Sequence, residues 1–209
     1  MITYTPWFRL CLSLGMLFCH LSLQAADHPD YVRIRKIAYG GSGCPHGSVG
    51  ESISQDMQAF TLLFDEFVAE AGPGVSRREN RKNCQISVDL DFPPGWSFSI
   101  ATFDYRGYAS LDRRVIGTQV SSYYFQGNPH TGRLSSKLYG PYDDDYHFHD
   151  EMEFDEVIWS PCGASRALNI NSEVRVRSRN RRATGVMTLD SIDGKVEHRY
   201  GLQWKRCRT

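Results

Sequence analysis

The stretch YDDDYHFHDEMEFDE, residues 142–156, carries eight carboxylates and two histidines. His147 and His149 stand two apart, so a strand would put both on one face, where with a nearby carboxylate they could chelate one metal ion. Two ligands do not complete a site. The competing reading is a solvated acidic loop and edge strand, whose charges discourage pairing with another chain. A stretch of opposite charge is RVRSRNRR, residues 175–182. On a strand, Arg175, Arg177, Arg179 and Arg181 would line one face. That strip could grip a sulfated or phosphorylated glycan, an acidic protein or lipid headgroups. A solvated outer face that balances the acidic stretch is the plainer use of the same charges. Arg77-Arg78 lies in GPGVSRRENRKN, residues 72–83, which reads as an exposed basic loop anchored by Cys84. A loop held in this way could present both arginines to an acidic cleft with little ordering entropy left to lose.

Recognisable nucleophiles are missing from the chain. Neither G-x-S-x-G nor H-E-x-x-H occurs. The glycine-rich YGGSGCPHGS, residues 39–48, suggests a phosphate loop, but such loops run into a helix N-terminus and often carry a lysine. Here Pro45 and Gly47 follow Cys44, and strands flank both sides, so the glycines read as positive-φ turns around a disulfide. Hydrolysis by two carboxylates distant in sequence stays open. Tyr105, Tyr108, Tyr123, Tyr124, Tyr139 and Tyr142 could form a stacking platform for sugars or a protein-binding patch. Cross-strand packing is the ordinary use of such aromatics. Dibasic pairs recur at Arg77-Arg78, Arg113-Arg114, Arg181-Arg182 and Lys205-Arg206, where folded strands would shield them from processing.

These side chains need a scaffold, and alternation along the chain supplies one. Ile86, Val88 and Leu90 alternate with polar residues, as do Trp96, Phe98 and Ile100. Near the C-terminus Val196, His198, Tyr200, Leu202 and Trp204 take every second position. Period two marks strands with one buried face. Further strands are expected over residues 31–38, 59–67, 115–125, 154–159, 168–176 and 184–189. Turn signals separate them at Gly72-Pro73-Gly74, Pro93-Pro94-Gly95, Gly127-Asn128-Pro129 and Gly140-Pro141, with Asp193-Gly194 as a hairpin turn. No window sustains a helical period. The pattern predicts an all-β fold, a two-sheet antiparallel sandwich or jelly-roll-like arrangement, with one domain over residues 27–209.

Arg9 precedes an apolar run over residues 10–23, and Ala25-Ala26 then suits signal-peptidase cleavage before Asp27. The run is shorter than the about 20 apolar residues that span a bilayer, so residues 1–26 read as a signal peptide. The mature chain is then secreted and extracellular, with no membrane span. Removing Cys11 and Cys19 with the leader leaves Cys44, Cys84, Cys162 and Cys207. Four cysteines in a secreted chain read as two disulfides with three possible connectivities. Locality favours Cys44–Cys84 and Cys162–Cys207. Their spacing matches no zinc template, and no cofactor is expected. Lys+Arg and Asp+Glu are both 24, so neither nucleic acid nor an anionic membrane is implied as a bulk partner.

Several long motifs carry a resemblance: YGGSGCPHGS, RKNCQISVDLDFPPGWSF, DYRGYASLD, YYFQG, WSPCGAS followed by LNINS, and DSIDGKVEHRYGLQWKRC. Through them the chain resembles, over essentially its whole mature length, the fungal secreted family of domain of unknown function 4360. The resemblance implies a secreted, β-rich, disulfide-bonded domain and lends no catalytic residue or ligand. A stapled sandwich with charged loops and no nucleophile reads as a non-enzymatic interaction protein. The expected form is an effector-like protein that binds or inhibits an extracellular host protein, such as a hydrolase or protease. A cell-wall glycan-binding or glycan-cleaving domain is the alternative, and a purely structural surface protein a third. The mature chain has no N-x-[ST] sequon, which suits a heavily N-glycosylated wall component poorly.

Overall fold

A strand that alternates apolar and polar residues has one dry face, and two such sheets satisfy each other by stacking. The computed structural model, which describes residues 28–152, 157–162, 166–189 and 198–208, adopts that solution. Its strands are β1 (Arg33–Gly40), β2 (Val49–Ile53), β3 (Ala59–Phe64), β4 (Val68–Ala71), β5 (Arg81–Asp91) and β6 (Trp96–Leu111), then β7 (Val115–Phe125), β8 (Gly132–Tyr139), β9 (Tyr142–Glu151), β10 (Leu168–Ser178), β11 (Gly185–Thr188) and β12 (His198–Arg206). One sheet has five strands in the order β1-β5-β10-β7-β8. The second has seven, in the order β2-β3-β12-β6-β11-β4 with β9 also paired to β6. All of these pairings are antiparallel. Thr102 to Tyr105 pair with both β12 and β9, so β9 flanks β6 on the side away from β12.

The dry faces meet between the sheets. Along β7, Val115, Tyr123 and Phe125 are buried, whereas Ile116, Thr118, Val120 and Tyr124 face outward and are half-buried. From the other sheet Phe98, Phe103 and Tyr105 of β6 fill the interior. The Phe98 ring meets Phe125 edge-on at 5.1 Å and Phe92 at 5.5 Å. Burying one such ring stabilises by roughly 2–3 kcal/mol, and the cavity left by its loss adds to the cost of truncation.

The disulfides are Cys44–Cys84 and Cys162–Cys207, as locality favours. Cys44 and Cys84 are fully buried, and the glycine-rich stretch is the turn between β1 and β2. Gly43 donates its amide to the Asn83 carbonyl, and its missing Cβ leaves room for the Phe67 ring. This is a stapled turn. Other expectations shift. β2, β4 and β8 are strands that the alternation does not flag, and residues 157–159 form no strand. The loop expected over 72–83 ends at Asn80, because Arg81, Lys82 and Asn83 pair with Arg175, Val174 and Glu173 of β10. The leader, the Asp193-Gly194 turn and Glu153, Asp155 and Glu156 of the acidic stretch lie outside the described residues.

Candidate functional site

Antiparallel pairing brings the start of β5, the start of β7, the end of β8 and the end of β10 to one end of the five-stranded sheet. Arg81 is opposite Arg175, Ser178 opposite Val115, and Tyr139 opposite Ile116. Arg177 is also opposite Ile116, so Arg177 and Tyr139 stand on either side of it. Two strand spacings separate them, about 10 Å. Arg114, Arg177, Arg179, Tyr139 and Asn180 line an outward-facing groove of about 870 Å³ there. All five are exposed, and Tyr139 is 64% accessible.

The predicted four-arginine strip is broken by a turn. β10 stops at Ser178, so Arg175 and Arg177 alone share its outer face. Ser178 Oγ donates to the Asn180 carbonyl and accepts from the Asn180 amide, and Asn180 Oδ1 accepts the Arg182 amide. Arg179 and Arg181 therefore belong to a turn. Arg175 differs from its neighbours in another way. It donates to Glu173 Oε1 at 2.6 Å, while Arg81 holds Glu173 Oε2 at 2.6 Å. The Glu173 carboxylate thus satisfies two arginines. Among the described residues Arg114, Arg177 and Arg179 have no hydrogen-bonding or ionic partner for their side chains. Asp112 does not supply one, since its carboxylate accepts from the Thr184 amide at 2.7 Å and hydroxyl at 2.9 Å.

Arg114 is the third residue of a tight turn closed by the Val115 amide on the Asp112 carbonyl. Its φ of 69° lies in the left-handed region, which costs a side-chain-bearing residue about 1 kcal/mol. Gly140 fixes Tyr139 beside that turn. Its amide donates to the Val115 carbonyl, and a Cβ there would meet the Asp112 carbonyl oxygen at 2.0 Å.

On the seven-stranded sheet, β9 places His147 and His149 on one outer face, as expected, and both stand against a residue the sequence reading missed. Asp104 of β6 pairs with His149 in register, and its Oδ1 accepts from His149 Nδ1 at 2.8 Å and His147 Nε2 at 2.9 Å. His149 Nε2 also meets Glu151 Oε1 at 3.3 Å. Carboxylates only accept, so His149 satisfies both as an imidazolium, and these hydrogen bonds raise its pKa above the ordinary value. Burial pushes the Asp104 carboxyl up, but the hydrogen bonds from His149 and His147 outweigh it and hold the group below its ordinary value. Among the described residues no three His, Cys, Asp or Glu side chains stand so as to hold a metal ion.

Arg77 and Arg78 are exposed on the loop between β4 and β5. That loop is internally bonded, Glu79 amide to Ser76 carbonyl and Val75 amide to Gly72 carbonyl. It reaches the arginine groove's end of the sheet, where the Asn80 carbonyl accepts the Val176 amide. The tyrosines form no common platform. Tyr105 and Tyr123 are buried between the sheets, and Tyr108 and Tyr142 bond to Asp143 and the Asp145 carbonyl on β9. Tyr124 faces outward but is half-buried, and of the six only Tyr139 is exposed. Arg114 was visible in sequence merely as half of a dibasic pair, and Asp104 had no local signal at all.

The chain is 47% identical over 182 residues to an uncharacterized secreted protein of Arthroderma benhamiae, covering 87% of this chain and 74% of that one. Like that relative, it is a secreted protein. Among the described residues no helix is long and apolar enough to cross a membrane. Solved structures give weak likenesses. TmCBM61 in complex with beta-1,4-galactotriose aligns over 83% of this chain and 90% of its own, at 8% identity and a TM-score of 0.27. The enzymatically active domain of bacteriophage CBA120 tailspike protein 4 aligns over 87% of this chain and 20% of its own, at 14% identity and a TM-score of 0.24. Residues 30–207 match the family model described as Domain of unknown function (DUF4360), and the chain belongs to that family.

Proposed function

We propose that this secreted protein is a non-catalytic binding protein that holds an acidic extracellular partner on the arginine-bearing end of its five-stranded sheet. One observation carries the reading: Arg114, Arg177 and Arg179 line a single groove whose lining, among the described residues, has no carboxylate. Elsewhere on this sheet, Arg35, Arg81 and Arg175 each have a carboxylate in contact. A guanidinium left unpaired by its own protein keeps its fork of donors for an incoming carboxylate, sulfate or phosphate. β8 adds Arg133 and Lys137 on the same outward face as Tyr139.

The ordered loop bearing Arg77 and Arg78 favours a second form of the same reading, in which an acidic cleft of an extracellular protein, such as a host hydrolase, receives both residues. Little ordering entropy is lost when a pinned loop docks. Retention of the folded protein on immobilised poly-aspartate and polygalacturonate, across a salt series, tests the reading. The protein is expected to bind and to elute with salt, and Arg177→Glu/Arg179→Glu to weaken retention by about ten-fold or more. Arg77→Glu/Arg78→Glu reports the loop's share. Retention that neither double variant alters would overturn the proposal.

A further inference from the structure

Resting on that reading, we infer that the groove between β7, β8 and β10 is a subsite for one acidic sugar unit: the pyranose face lies on Tyr139, and the sugar's carboxylate or sulfate is held by Arg177, Arg179 and Arg114. Acidic groups alone would be served by arginines on an open surface. This groove adds features that a bare charge does not need. Tyr139 exposes 64% of its surface, whereas Tyr124 on the same sheet face and Tyr108 and Tyr142 on the seven-stranded sheet are half-buried. An aromatic ring left so open is a platform on which the apolar face of a sugar packs, while its hydroxyls stay outward.

Spacing agrees. Arg177 and Tyr139 flank Ile116 across β10, β7 and β8, about 10 Å apart at the backbone, which leaves room for a single six-membered ring above Ile116. Ile116 is half-buried and gives that ring an apolar floor. Asn180 also lines the groove. Its Oδ1 is engaged by the Arg182 amide, so Nδ2 remains as a donor for a sugar hydroxyl. The groove's volume, about 870 Å³, falls in the range of small-ligand clefts.

Arg114 occupies the left-handed region at φ 69°, where glycine would be easier, and its guanidinium belongs to the groove lining. The three-residue turn between β6 and β7 sets that conformation and so fixes where Arg114 leaves the backbone. Uronate and sulfate ester present the same chemistry to arginine, a planar or tetrahedral set of anionic oxygens, and the groove's contacts distinguish neither.

Titration calorimetry with trigalacturonate, a sulfated heparin tetrasaccharide, maltotriose, poly-aspartate and adenosine monophosphate tests the inference. At least one of the two acidic saccharides is expected to bind at least about ten-fold more tightly than maltotriose, and the better one names the anion. Tyr139→Ala should weaken that saccharide by about five-fold and leave poly-aspartate unchanged, with the melting temperature unaltered because the ring is exposed. Arg177→Glu/Arg179→Glu should abolish both. If poly-aspartate binds through the arginines but no acidic saccharide does, or Tyr139→Ala changes nothing, the sugar subsite is overturned while the acidic-partner reading stands. Tighter binding of adenosine monophosphate than of either saccharide also overturns it. If arginine reversal alters no binding at all, the acidic-partner reading falls as well.

Discussion

The arginine groove and the histidine strip are both outward faces rich in charge, yet they treat charge in opposite ways. On β6 and β9 each imidazole has found a carboxylate: Asp104 takes His147 and His149 on one oxygen, and Glu151 takes the other side of His149. Arg114, Arg177 and Arg179 line a groove whose lining, among the described residues, includes no acid. Even a few residues away the contrast holds, since Arg81 and Arg175 close on Glu173. Charge density therefore says little about binding. Whether the protein has already satisfied the charge says more. In the stretch with the denser chemistry, 142–156, the two histidines are the groups whose charge the fold has already satisfied.

Breaking the strip should cost stability without touching binding. Asp104→Ala removes the shared acceptor of two half-exposed imidazoles, and we expect a loss of about 1 kcal/mol in urea denaturation, discounted for solvent screening. Retention on polygalacturonate should be unchanged. A parallel loss of retention would mean the two faces act together, and the contrast would be lost.

The groove should respond with the reverse sign. Arg114→Gly relieves a left-handed residue, partly offset by glycine's greater freedom when unfolded, so stability should rise by about 0.5 kcal/mol. Affinity for polyanion should fall at the same time. A variant that is less stable, or that binds as well as the wild type, removes Arg114 from the groove's function.

The smallest effect lies in pH. The folded pKa of His149 is raised by Asp104 first and Glu151 second. Its contribution is therefore fully present below the ordinary imidazole value, near 6.5, and is lost as pH climbs through the raised value. Since the group is half-exposed, the difference between wild type and His149→Gln should shrink by a few tenths of a kcal/mol on going from pH 5.5 to 8. Asp104, with its pKa lowered, acts at the acid end: its contribution fades only as pH falls below about 4. A wild-type to variant difference that stays constant from pH 5.5 to 8 would remove the imidazolium from the strip.

The sheets were legible because their central strands obey a strict period. Residues 115–125 alternate buried and half-buried without a break, and the strand is found where the alternation places it. β2 and β4 escaped because they have five and four residues, too few for a period to show. In β8 the inward positions include Ser136 beside Leu134 and Leu138, all only half-buried, so the apolar signal is diluted. The arginine strip was over-extended for a different reason. Ser178 and Asn180 are turn formers that bond to nearby backbone, and this local option ended β10 before Arg179. What no local reading could supply was lateral register. Arg114, Tyr139 and Arg177 become neighbours only after β7 pairs with β8 and β10.

Gly140 and Pro141 are all that separate Tyr139, at the groove, from Tyr142, where the acidic strand begins. The chain thus changes sign within one short crossing from one sheet to the other, while its formal net charge is zero. Charges sorted in this way give that end of the sandwich a local dipole, from the groove to the start of β9. Near a negatively charged polymer or wall the protein experiences a torque although it feels little net pull. The torque turns the arginines inward and Asp143 to Asp145 outward, so encounters are oriented before any contact forms.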